Sequence, residues 1–351
     1  MKRLSLVFVF MSAAGSASAA TYCVESGDVA ALSAAITAAQ TNGEDDLIRM
    51  EIGQYDLSSD LIHDSGEPHA LTIEGGYLSG AAPCAWDPTT PDASTTRIDG
   101  GNIIRVALNP LGGDLTIKGL TISRMFSGIG QFLPSVSLAG KNITISNVVL
   151  SENVAPQYAG IGIYGNGAIQ LQNSLFSSNA SWNGGAAIEV QNGNVGGLLC
   201  NWIINSTIAG NSSSLAGLSL QNNDPTCPSI VANSVFWDNG DKGTGEHDLK
   251  VSSETFLISD DVTVIDVDIG PLHPDSASFS MDPLFKDSSS GDYRVRDDSP
   301  LRDRGTSDGG FIWSPGDWDV VGKPRFDNGL ADIGAFEVQD VIYAHGFDWQ
   351  L

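Results

Sequence analysis

Positive charge is what this 351-residue chain has least of: 17 Lys and Arg stand against 42 Asp and Glu, a net charge of −25. A field of that sign repels polyphosphates and anionic lipid at long range, which excludes nucleic acid and anionic membrane surfaces as partners. Between Lys141 and Lys242 there is no Lys or Arg at all. Histidine is scarce and scattered (His63, His69, His247, His273, His345), and the cysteines form no CxxC pair, so no zinc ligand set is spelled out. Apolar runs are short as well. Leu4 to Met11 is too short to span a bilayer, so no transmembrane segment is expected. That run follows Lys2 and Arg3 and precedes Ala17-Ser18-Ala19, the order of a signal peptide cut after Ala19. Its loss takes the charge from −25 to −27. Tyr22 stands before Cys23 where a lipoprotein signal needs a small residue, so the reading is an exported protein, secreted or at the cell surface.

Glycine, by contrast, is abundant, with 40 residues, and Asn, Ser and Thr are frequent through the middle of the chain. Four segments align without gaps: Asn147 to Asn153, Asn173 to Asn179, Asn205 to Asn211 and Asn233 to Asn239, each with Asn at both ends. Successive copies start 26, 32 and 28 residues apart. A constant inner spacing with a variable outer one describes a rigid coil with insertions at its turns. Leu150, Phe176, Ile208 and Phe236 share one column, and Val148, Ser174, Ser206 and Ser234 share a smaller one two places earlier. Strand side chains alternate with period two, so both columns are predicted to point inward. Short apolar strands precede the first Asn (Ile143–Ile145, Ile169–Leu171) and follow the second (Ile161–Ile163, Ile188–Val190, Leu218–Leu220, Leu249–Val251). Three short strands per coil, each stacked on its copy, predict an all-β parallel β-helix. At the bends Asn adopts left-handed geometry at low cost, and stacked amides can hydrogen-bond in a ladder.

Earlier segments extend the stack: Leu71–Tyr77, Arg97–Asn102 and Leu115–Ile122. Val29, Leu32 and Ile36 have helical spacing, with Asp28 as N-cap and Asn42-Gly43 as the stop, so an N-terminal capping helix is predicted over the open end. The expected organisation is a signal peptide (1–19), a cap with its helix (20–66), coils (67–275), a C-terminal anchor-like region (276–338) and a tail (339–351). Four cysteines in an exported chain favour two disulfides, of three possible connectivities. Cys200 lies five residues before Asn205 and Cys227 six before Asn233, nearly the same place on successive coils. Stacking puts them about 4.8 Å apart, within disulfide reach. Cys200–Cys227 is therefore predicted, leaving Cys23–Cys84.

The C-terminal runs Met281–Phe285, Gly291–Val295, Asp298–Leu301 with Asp303 and Gly305, Gly322–Arg325 and Ala331–Glu337 carry a resemblance, as do Leu71–Tyr77 and Ile98–Asn102 near the start. Through them the chain resembles the right-handed parallel β-helix repeat proteins of the pectate-lyase-like superfamily, in particular exported bacterial members with a choice-of-anchor type of ending. The resemblance implies a right-handed winding and export, and little about activity, since this architecture hosts lyases, hydrolases, adhesins and others.

Superfamily enzymes act mostly on acidic polysaccharides, either as lyases with an Arg or Lys base near calcium-binding carboxylates or as hydrolases with paired carboxylates. The cation-free stretch between Lys141 and Lys242 includes most of the regular coils. Their acids Glu152 and Asp238 share a column three coils apart, roughly 14 Å, where productive pairs need about 5 to 9.5 Å. No catalytic residue is assigned. Asp238, Asp241, Glu246 and Asp248 cluster as an acidic loop, and Asp260, Asp261, Asp266 and Asp268 are woven with apolar residues instead of forming a calcium loop. No cofactor follows, and calcium has no specific motif. Tyr164, Glu189, Ser219 and Lys250 are read as the outward position of the third strand, a face able to line a sugar chain. The expectation is a monomeric, non-catalytic surface protein that contacts polysaccharide or cell-envelope glycan. The alternative is a polysaccharide lyase or glycoside hydrolase with an atypical site.

Overall fold

The computed structural model describes residues 19–78, 92–110, 112–183, 185–193, 201–222, 229–240, 247–251, 255–257, 262–264, 267–269, 281–305, 318–325 and 331–339. They build a parallel β-solenoid of about seven turns. One sheet of fifteen strands collects the two strands on either side of the first Asn bend, and a second of eight collects the third strand of each coil. The stack begins at Ala20–Val24, which pairs in parallel with Asp46–Glu51. The helix Val29–Ala38 is present, with the Asp28 side chain accepting from the Ala31 N–H at 2.8 Å. Its Leu32, Ala35 and Ile36 join the apolar cluster that continues through the coils. No helix among the described residues is long and apolar enough to cross a membrane.

The repeat register is the one that the Asn spacing predicts. Leu150 pairs with Phe176, Phe176 with Ile208 and Ile208 with Phe236, all fully buried. In the small column, Ser174, Ser206 and Ser234 each receive a backbone N–H from the preceding coil, at 3.2–3.4 Å. Each returns its own O–H to a carbonyl two residues back. Hydroxyls can therefore sit inside the coil without an unpaired polar atom.

The two Asn columns divide the work expected of both. Asn147, Asn173, Asn205 and Asn233 adopt φ of 46–55° and make the first bend. At the second bend the left-handed residue is one place earlier, Glu152, Ser178, Gly210 and Asp238, with φ of 56–64°. The second Asn column is the ladder. Asn153 donates to Asn179 at 3.0 Å, Asn179 to Asn211 at 3.0 Å and Asn211 to Asn239 at 2.8 Å, side chain to side chain. Each amide oxygen also accepts the backbone N–H of the residue one coil earlier, from Met125 to Asn211, at 3.0–3.1 Å.

One consequence of the alternation needs correction. Leu175, one place from Phe176, should face outward and be cheap to truncate, yet it is only 5 % exposed. The C-terminal segment covers that face, packing Tyr293, Val320, Ala335 and Phe336 against Leu175 and Ala209. It is fastened by Ala335 N–H to Thr207 Oγ1 (2.9 Å) and Gly334 N–H to the Asn233 carbonyl (2.8 Å). Among the described residues no cysteine is free, and Cys84, Cys200 and Cys227 lie outside them.

Two substitutions test this arrangement in denaturant melts. Asn179→Ala strips four hydrogen bonds from a buried amide and is expected to cost about 3 kcal/mol or more. The exposed neighbour Ser178→Ala should stay within about 0.5 kcal/mol, and equal losses would deny the ladder. Leu175→Ala and Phe176→Ala should both cost about 2–5 kcal/mol. A negligible loss at Leu175 would mean that the C-terminal segment does not cover it.

Candidate functional site

The face predicted to meet sugar is present, with one register change. Glu189 pairs with Ser219, and Ser219 with Lys250, but the partner of Glu189 on the preceding coil is Gly162, not Tyr164. Tyr164 stands two residues along, opposite Gln191. Its ring returns over Gly162, where a Cβ would lie 2.3 Å from the Tyr164 hydroxyl, so glycine makes room for it. Glu189 Oε1 accepts from Gln191 (2.8 Å) and Gln221 (3.2 Å). Tyr158 lies beside both Glu189 and Tyr164. Burial, then the neighbouring Tyr158 and Glu189, pushes the Tyr164 hydroxyl up. Beside them lies a shallow cavity of about 250 Å³ lined by Tyr164, Asn166 and Gln191.

The acidic loop resolves differently. Asp248 is 3 % exposed and ends the amide ladder, accepting from the Asn239 backbone N–H (2.7 Å) and side chain (3.0 Å). Asp238 occupies a bend position. Asp241 and Glu246 lie outside the described residues, as do Asp260, Asp261 and Asp266. No group of three His, Cys, Asp or Glu among the described residues is placed to hold a metal ion.

A further concavity lies elsewhere. A cleft of about 390 Å³ is lined by Glu74, Gly75, Tyr77, Lys118, Gly119, Ser146, Asn147, Gln172, Asn173 and Trp318. Its floor follows from the register: Glu74 pairs with Lys118, Lys118 with Ser146 and Ser146 with Gln172, a row of polar side chains one coil apart. Its depth follows from the bend column, where Gly119 takes the place that Asn147 and Asn173 hold in later coils. A Cβ on Gly75 would lie 2.5 Å from the Gly119 carbonyl, so the two coils approach only because both residues lack side chains. Glu74 lies 3.8 Å from Lys118 Nζ and accepts the Tyr77 hydroxyl. The Arg49 guanidinium sits 5.3 Å above the buried Tyr77 ring. Burial, then Glu74, pushes the Tyr77 hydroxyl up, so it serves as a donor and not as a base. The wall opposite the row is Trp318, 36 % exposed.

The Lys and Glu of this cleft are visible in the sequence as Leu71-Thr-Ile-Glu-Gly and Leu115-Thr-Ile-Lys-Gly, aligned residue for residue. Trp318 is not, since it arrives from the C-terminal segment. Asn147 Nδ2 holds it there, donating to the Trp318 and Asp319 carbonyls at 2.9 and 2.8 Å. No protein-family model matches the chain, and no curated protein matches it. Chemically, the cleft offers an aromatic face, an ammonium, a carboxylate, a hydroxyl and amides. Among the described residues Glu74 is its only lining carboxylate.

Proposed function

We propose that the protein is a non-catalytic β-solenoid that holds a saccharide chain in the Trp318 cleft. The observation that carries this reading is the row Glu74, Lys118, Ser146 and Gln172 facing a half-exposed tryptophan. Strands repeat at about 4.8 Å, close to the length of one pyranose unit, so each coil offers one polar group per sugar. Hydrogen bonds to sugar hydroxyls largely replace those to water, whereas an apolar sugar face against indole adds net attraction. The hydrolase alternative meets a single carboxylate among the described residues that line the cleft, where hydrolysis needs two, and a lyase would need as its base Lys118, which lies 3.8 Å from Glu74. The face of Tyr164, Glu189 and Lys250 is a second surface for the same ligand class, while Ser219 in that row is buried and offers it nothing.

The remaining expectations belong to the same proposal. The coils wind right-handed as in the pectate-lyase-like superfamily, the helix Val29–Ala38 caps their open end, and the protein is exported and monomeric. Cys200–Cys227 and Cys23–Cys84 are its disulfides. An acidic exported solenoid of this kind contacts polysaccharide or cell-envelope glycan.

A panel of neutral and acidic glycans, scored for retention and for new reducing or unsaturated ends, tests the function. Retention without cleavage is expected, and Trp318→Ala should weaken it about tenfold. Retention lost in Tyr164→Ala but unchanged in Trp318→Ala would move the site to the Tyr164 face. New chain ends from the wild-type protein would establish the enzyme instead.

A further inference from the structure

The segment that delivers Trp318 is built around three buried carboxyls and one guanidinium. Asp319, Asp332 and Arg325 are fully buried, and Glu337 is 3 % exposed. Asp319 accepts three backbone N–H groups, from Val321 (3.0 Å), Lys323 (2.7 Å) and Glu337 (2.9 Å). Asp332 accepts two, from Asp303 (2.8 Å) and Val338 (2.7 Å). Such donors favour the charged form, but burial outweighs them and pushes both carboxyls up. Glu337 is less well provided. Its Oε2 accepts the Asp332 N–H at 3.0 Å and lies 3.7 Å from Arg325 Nη1, while its Oε1 is buried with no hydrogen-bond partner among the described residues. Arg325 also donates to the Asp332 and Gly334 carbonyls. Lys286, Arg294, Asp297 and Lys323 stand around a pocket of about 350 Å³ that Asp319 and Glu337 also line, and the half-exposed Asp303 adds a further negative charge beside Asp332. Those first four are exposed to water, which screens them from the buried set.

One guanidinium cannot balance three buried carboxyls, burial raises all three, and Glu337, with a single N–H donor and an Oε1 without a partner, is the least able to hold a charge. A third ionised carboxylate in this set, out of water, is strongly disfavoured. We propose that Glu337 carries a proton when this segment is docked, so that releasing the proton loosens Trp318–Arg325 and 331–339 from the coils and removes one wall of the cleft. The functional half rests on the saccharide reading of the cleft; the docking half does not. Burial, opposed by Arg325 and reinforced by Asp332 and Asp319, pushes the Glu337 carboxyl up to about 8. A carboxyl raised on folding stabilises the docked form below its ordinary pKa, and that contribution is lost as pH rises through the folded value. The segment should be tightest at or below the ordinary carboxyl range and loosen progressively as pH rises towards about 8.

The test is amide hydrogen exchange on the full chain, corrected for intrinsic rates, at about pH 6 and about pH 9, on either side of the raised value. Protection over 318–325 and 331–339 is expected to fall about tenfold, while the Leu150, Phe176 and Ile208 strands stay protected. In Glu337→Gln, which keeps the shape without the charge, that fall should disappear. Equal protection at both pH values, or a loss shared by all coils, overturns the proposal from the wild-type protein alone, even if the variant does not fold. An undiminished fall in a folded Glu337→Gln overturns it too. A panel glycan, if retained, should bind the wild type about tenfold less at the higher pH. Retention that depends on Trp318 but not on pH sinks the switch and leaves the cleft. A pH-dependent exchange pattern with no glycan retained sinks the cleft and leaves the docking equilibrium.

Discussion

Four successive coils of this protein are each placed by one buried amide. Asn153, Asn179, Asn211 and Asn239 each contact the coils before and after through side-chain and backbone bonds, and Asp248 ends the row by accepting without donating. Apolar stacking by itself leaves the register loosely specified, because Leu, Ile and Phe interchange along a column. An amide that satisfies both of its ends only in one alignment does not. In a buried place a slip would leave donors and acceptors unpaired at every step. The outward columns inherit their order from that alignment, so the row Glu74, Lys118, Ser146 and Gln172 is as regular as the core beneath it.

The cleft arises where the pattern is broken. Asn at the first bend fills its corner with an amide, whereas Gly75 and Gly119 leave it empty and let adjacent coils approach. The C-terminal segment then turns an open depression into a two-sided cleft by setting Trp318 on its rim. The same segment converts the outer face at Leu175 and Ala209 into a second core. A carboxyl set sharing one guanidinium holds this segment together. Cleft geometry is thereby tied to the protonation of residues that do not line it.

What the sequence makes legible is whatever repeats. The inward columns, the bend Asn residues, the Asp28 cap and the pairing of Glu189 with Ser219 and Lys250 follow from spacing, because strand alternation and coil stacking are local rules. Tyr164 was misplaced because the Gly162 column mate has no side chain to mark it, and the nearest aromatic took its place in the alignment. Leu175 and Trp318 depend on a contact between residues more than a hundred positions apart in the chain. No periodicity reports such a contact. Ala331–Glu337 was readable as a motif, yet its buried carboxyls acquire a meaning only when Arg325 and the coils surround them.

The central claim is that the Trp318 cleft, made by a glycine break in the bend column and a docked C-terminal wall, receives the ligand. A crystal structure of the protein with a retained oligosaccharide tests it most directly. The account predicts sugar rings against the Trp318 indole, with hydroxyls on Glu74, Lys118, Ser146 and Gln172. An oligosaccharide bound along Tyr158, Tyr164 and Glu189, with the Trp318 cleft empty, would contradict it.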